Sequence, residues 1–188
     1  MRVDYEYVLE FAKKKHEGQF RADGVTPYIN HPIQVAAIVK RVKKSADIDS
    51  IVAAALLHDT LEDTYTSYRE LTDEFGEMVA SMVMEVTTAS YVPMLIGKSN
   101  YLKRKMVDMS NYALVIKLSD RLANLIDSKT LSEERRYRLI VDTHDIIEYI
   151  EAHRELTGTQ KVLITEIREQ LAKIKEENME ENLNNNNI

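Results

Sequence analysis

The stretch DIDSIVAAALLHDTLEDT, residues 47–64, runs from an apolar segment straight into a histidine and three carboxylates: His58, Asp59, Glu62 and Asp63. Its central IVAAALL, residues 51–57, has no polar face, so a helix built from it belongs in the middle of a fold. Asp49 or Ser50 suits its N-cap. On one continuous helix, residues four apart share a face, which places His58 beneath Glu62 and Asp59 beneath Asp63. The nearest basic residues in the chain are Lys44 and Arg69. Three carboxylates this close, with no local counter-charge, raise one another's pKa unless a cation is bound.

Working outward, the same helical spacing recurs along the chain. DYEYVLEFAKKKHEG aligns Tyr7, Val8, Phe11 and Ala12, and PIQVAAIVKRVKK aligns Ile33, Ala36, Val39 and Val42. Between them, GQFRADGVTPYINHP reads as a long loop, with Pro32 in the first turn of the second helix. SYRELTDEFGEMVASMVMEVTTA gives helix broken near Gly76, SYVPMLIGKSN a loop, and YLKRKMVDMS a further helix. YALVIKLSDRLANLID sets Leu114, Leu118, Leu122 and Leu125 on one face, and two more helical segments follow. Residues 177–188, polar and asparagine-rich, read as a disordered tail behind a single domain spanning 1–176.

Composition agrees with an all-α protein: 5 Gly and 3 Pro among 188 residues, 44% hydrophobic and 30% charged. The net charge of −6 argues against a nucleic-acid partner. The absence of cysteine excludes disulfides, thiolate zinc sites and a cysteine nucleophile. No stretch has signal-peptide or transmembrane character, so a cytoplasmic protein without membrane contact is expected.

Two other segments carry polar groups inside apolar surroundings. VIKLSDRLANL, residues 115–125, holds Asp120, with Lys117 three residues before and Asn124 four after; YINHP, residues 28–32, holds His31 at a helix start. Taken singly, Lys117–Asp120 reads as an exposed pair worth little, and His31 as a cap. Taken together, His31, His58, Asp59 and Asp120 form a two-nitrogen, two-oxygen set for one divalent ion. Glu62 and Asp63 then stand beside it to handle protons. Imidazole plus carboxylate suits Mn²⁺, Fe²⁺ or Zn²⁺ better than Mg²⁺.

Four segments carry a resemblance: HEGQFRADGVTPYINHPIQVA (16–36), AALLHDTLEDT (54–64), GKSNYL (97–102) and IKLSDRLANL (116–125). In order and spacing they resemble the HD superfamily of metal-dependent phosphohydrolases. More narrowly, they resemble the hydrolase domain of the RelA/SpoT family and its stand-alone members, the small alarmone hydrolases. The resemblance implies a compact all-α HD-domain bundle that removes pyrophosphate from the 3′ position of (p)ppGpp, giving GDP or GTP, as in the stringent response. It implies one metal ion, usually Mn²⁺, on residues matching His31, His58, Asp59 and Asp120, with the pair matching Glu62 and Asp63 activating or orienting water. Lys98, Tyr101 and Asn124 are candidates to meet the diphosphate leaving group. Arg21 matches a residue that packs against the guanine base, a contact a guanidinium favours. His16 belongs to the signature as a structural residue, while His144 and His153 read as packing or surface histidines.

The chain after His153 is too short for a nucleotide-transferring synthetase domain, so degradation alone is expected of these residues. The expected partner is a small-molecule nucleotide. Two other readings keep the same site: cleavage of another nucleotide, such as NADPH at its 2′-phosphate or a nucleoside triphosphate, and binding without cleavage as a sensor.

Overall fold

The structure is a computed structural model that describes residues 3–88 and 97–185, the side chains of 98 and 180–185 lying outside that description. α1 (Tyr5–Lys15) starts at Asp4, whose side chain accepts from the N–H groups of Glu6 and Tyr7. Val8 and Ala12 are its buried residues, whereas Tyr7 is exposed and its ring tilts onto Phe75 instead.

The loop that follows is built by Asp23. Its carboxylate accepts from the N–H groups of Val25 and Thr26 and from Thr26 Oγ1, at 2.9, 2.9 and 2.6 Å. These bonds hold its pKa down at about 2. Paired backbone bonds, Arg21 N–H to Thr26 O at 2.8 Å and Tyr28 N–H to Gln19 O at 2.9 Å, close the loop on itself. Arg21 and Tyr28 therefore project from a braced turn. α2 (Asn30–Val42) begins immediately after, placing His31 and Pro32 in its first turn, where proline costs no helical hydrogen bond.

α3 (Ile48–Leu57) buries every residue from Ile51 to Leu57, as the apolar run predicts. Its N-cap is Asp47, not Asp49 or Ser50. The reading of one continuous helix through residue 64 is corrected: α3 stops at Leu57, and α4 (Thr60–Asp63) is a separate turn. Side chains cause the break. His58 Nδ1 lies 2.8 Å from Ala55 O, and Thr60 Oγ1 donates to Leu57 O at 2.7 Å. Those two carbonyls would otherwise bond residues 59 and 61 of a continuing helix.

α5 (Tyr68–Phe75) and α6 (Glu77–Val86) are divided at Gly76, φ +84°, as expected. The loop expected over residues 90–100 lies mostly outside the described residues; its end is already α7 (Lys98–Asp108). α8 (Asn111–Ile126) buries Leu114, Leu118, Leu122 and Leu125. A 3₁₀ turn (Asp127–Thr130), α9 (Glu133–His153) and α10 (Gly158–Asn185) complete the order. α10 continues as helix past residue 176, where disorder is expected from composition. Glu177 is tied there by Lys129 at 3.1 Å and Arg136 at 3.8 Å.

Two helices form the centre. α3 packs against α1, α2 and α6, and α8 against α2, α3, α6 and α10. Among the described residues there is no strand beyond one isolated bridge, Phe20 to Pro27, and no helix is long and apolar enough to cross a membrane. The all-α bundle thus brings the end of α3, the start of α2 and the middle of α8 to one place.

Candidate metal centre

Four donor atoms from those three elements converge. His31 Nε2 lies 3.1 Å from Asp120 Oδ1 and 3.9 Å from Asp59 Oδ2; His58 Nε2 lies 2.9 Å from Asp59 Oδ2 and 3.8 Å from Asp120 Oδ1. Donors held about 2.1 Å from one ion stand roughly 3 to 3.5 Å from their neighbours. In this ring of alternating nitrogen and oxygen, the 2.9 and 3.1 Å separations match that spacing, and the 3.8 and 3.9 Å ones are longer. His31, His58 and Asp120 are all buried and could hold a metal ion.

The tautomer of His58 supports that fit. A carbonyl only accepts, so Nδ1–H donates to Ala55 O, and the neutral ring carries its lone pair on Nε2. That atom is buried without a hydrogen-bond partner among the described residues, despite two carboxylates beside it. A buried lone pair facing two anions is relieved by a cation between them, a proton or a metal. Burial alone lowers the pKa of His58, but the Asp59 and Asp120 carboxylates outweigh it and raise the value above the usual histidine range.

The charges around the ring balance only in part. Lys117 is not an exposed residue, as the sequence suggests, but 7% accessible, with Nζ 3.0 Å from Asp120 Oδ2. Burial disfavours charge on both partners, yet Lys117 holds the Asp120 pKa well below the carboxylate range, and Asp120 keeps that of Lys117 raised. Asp59 is likewise held low against burial, chiefly by His58. Asp59 is further fixed by Tyr28, whose hydroxyl donates to Oδ2 at 2.6 Å. The Tyr28 ring packs at a tilt against His16, 4.9 Å between centroids. His16 in turn contacts Gln19 at 2.8 Å, and Gln19 donates to Asp63 O at 2.8 Å, so His16 braces the site from outside.

The ring opens into a cleft of about 470 Å³, a size suited to a small molecule. Glu62 and Asp63 are among its lining residues. Partial desolvation there, with the Asp59 and Glu62 charges, raises the pKa of Asp63. Asn124 also lines the cleft and donates to Asp120 Oδ1 at 2.6 Å. Arg21 is not among the lining residues; it pairs with Asp127 at 3.2 Å and lies 5.8 Å from the Tyr28 ring. Tyr101 is half-buried against the core, with Lys105 near its ring, and does not line the cleft. The side chain of Lys98 lies outside the described residues.

Sequence reasoning missed what α9 brings to the cleft. Arg135, Arg138, Leu139 and Asp142 of α9 line it, with Arg121 of α8. Arg121 is steadied by Thr143 Oγ1 at 3.1 Å. A signal was present: SEERRYR, residues 132–138, puts arginines near a helix N-terminus, where cations oppose the helix dipole.

The HD domain family profile matches residues 8–158. The chain belongs to the HD domain family. Among its relatives, the Xenopus tropicalis guanosine-3′,5′-bis(diphosphate) 3′-pyrophosphohydrolase MESH1 is 39% identical over 144 residues, 71% of this chain and 76% of that protein. An Aquifex aeolicus guanosine-3′,5′-bis(diphosphate) 3′-pyrophosphohydrolase is 40% identical over 163 residues, which are 80% of this chain but 21% of that longer protein. The solved structure of a metazoan ortholog of SpoT that hydrolyses ppGpp matches with a TM-score of 0.74 at 29% identity, covering 88% of this chain and 93% of that one. These HD-domain relatives agree with the resemblance carried by the four sequence segments.

Proposed function

We propose that this HD-domain protein is a metal-dependent hydrolase that removes the 3′-pyrophosphate of (p)ppGpp, with Mn²⁺ as its ion. One observation carries the reading: two histidines and two carboxylates converge at a cleft that Glu62, Asp63 and three arginines also line. The activity named for its stand-alone relatives supports the choice of substrate.

His31, His58, Asp59 and Asp120 hold the ion. When bound, it supplies Lewis-acid polarisation of a phosphoryl oxygen and makes water acidic enough to act near neutral pH. Asp63, with its raised pKa, accepts the proton of the attacking water, and Glu62 orients that water. The water oxygen bonds to the phosphorus attached to the 3′ oxygen, and the bond between them breaks. Pyrophosphate leaves, and the 3′ oxygen takes up a proton. Arg121, Arg135 and Arg138 meet the phosphate charge, and Asn124 holds Asp120 in line.

The test is product analysis by anion-exchange chromatography after incubation with ppGpp, NADPH, GTP or dGTP, in Mn²⁺ or EDTA. Mn²⁺-dependent release of GDP and pyrophosphate from ppGpp, abolished in Asp59→Ala and Glu62→Ala, is expected. Cleavage of another nucleotide instead refutes the substrate, and Mn²⁺ binding without any cleavage refutes the enzyme reading in favour of a sensor.

A further inference from the structure

Glu62 is gripped from behind by a single peptide unit. Its Oε2 accepts from the N–H of Thr88 at 2.9 Å. The carbonyl at the other end of that unit, Thr87 O, accepts a hydrogen bond from Lys105 Nζ. Thr87 itself terminates α6, its N–H and Oγ1 both reaching Val83 O, at 3.0 and 2.8 Å. Lys105, on α7, is half-buried and is not among the residues that line the cleft; its ammonium is turned to the Thr87 carbonyl. A cation on the carbonyl and an anion on the amide polarise the peptide in the same sense, strengthening both bonds.

We propose that Lys105 is a positioning residue that fixes the Glu62 carboxylate through the Thr87–Thr88 peptide. One carboxylate oxygen is committed to the end of α6. The other, Oε1, has no partner among the described residues and is left for the attacking water. Lys105 thereby ties the geometry of the acidic pair to the packing of α7 on the bundle. The inference rests on the role given to Glu62 above.

The experiment uses the Mn²⁺-loaded full chain as wild type, Lys105→Arg, Lys105→Gln and Glu62→Gln. Amide hydrogen exchange at Thr88, followed by NMR, reads the coupling without any turnover. Protection is expected in wild type and Lys105→Arg, and faster exchange in Lys105→Gln and Glu62→Gln. With ppGpp, Lys105→Gln is expected to lower kcat by about tenfold, a usual cost of losing an outer-shell support. KM and Mn²⁺ affinity should stay unchanged, and Lys105→Arg should restore kcat. Unchanged Thr88 exchange in a folded Lys105→Gln overturns the proposal, as does a loss that appears only in KM. If wild type leaves ppGpp intact while Thr88 still responds to Lys105, the substrate reading falls and the peptide link stands.

Discussion

Asp120 has two jobs that pull on the same carboxylate. Oδ1 faces His31 and Asn124, and Oδ2 faces the Lys117 ammonium at 3.0 Å. Removing one member of a buried ion pair strands the other charge, which costs about 3–5 kcal/mol. Asp120→Ala is therefore expected to lose Mn²⁺ binding and also to lower unfolding free energy by about that amount in metal-free urea titrations. Asp120→Ala with Lys117→Met should recover most of the stability and none of the binding. Recovery of both would show that Asp120 is no ligand. At this scale the sequence was informative: His31, His58, Asp59 and Asp120 stand out as polar groups in apolar contexts, and they do meet. Lys117 misled, because an i, i+3 charge pair looks the same in sequence whether it faces water or the core.

Among the elements, α3 and α8 were legible because an apolar run or stripe has one low-energy fate, burial. The break after Leu57 was not, because it depends on His58 and Thr60 competing for two carbonyls, a contest that propensity does not record. α2 and α10 are joined by a bidentate pair, Arg41 Nη1 and Nη2 to the Glu166 carboxylate at 2.7 and 2.6 Å. The Arg41 hydrogen bonds lower the Glu166 pKa below its ordinary 4.5. Its contribution is fully present above pH 4.5 and fades as pH falls through the depressed folded value. Both groups are partly exposed, so Glu166→Gln is expected to cost about 0.5–1 kcal/mol at neutral pH. That difference from wild type should shrink in denaturant titrations as pH falls below 4.5 and be lost only once pH passes the depressed folded value. A difference that persists in acid would assign the effect to packing.

Across the whole molecule, a chain of net charge −6 presents a local cationic wall inside the cleft. On the proposed reading, Arg135 and Arg138 draw an anionic nucleotide against the overall field, an attraction that salt screens over about 8–10 Å. KM for ppGpp is expected to rise with ionic strength. Arg135→Ala with Arg138→Ala should raise KM by about tenfold or more with a smaller change in kcat, as loss of uniform binding does. A kcat loss at constant KM would place these arginines in the transition state instead.

The sequence by itself determined the all-helical class and the two central helices, and it singled out His31, His58, Asp59 and Asp120 as candidate donors. Each follows from where apolar and polar side chains fall along a helix, a local property of the chain. Only the tertiary structure decided that α9 closes the cleft with arginines, that Tyr28 and Lys105 support the carboxylates, and that Arg21 turns to Asp127. Those outcomes depend on distances between segments far apart in the chain. Such distances are set by how whole helices pack, which no local pattern encodes.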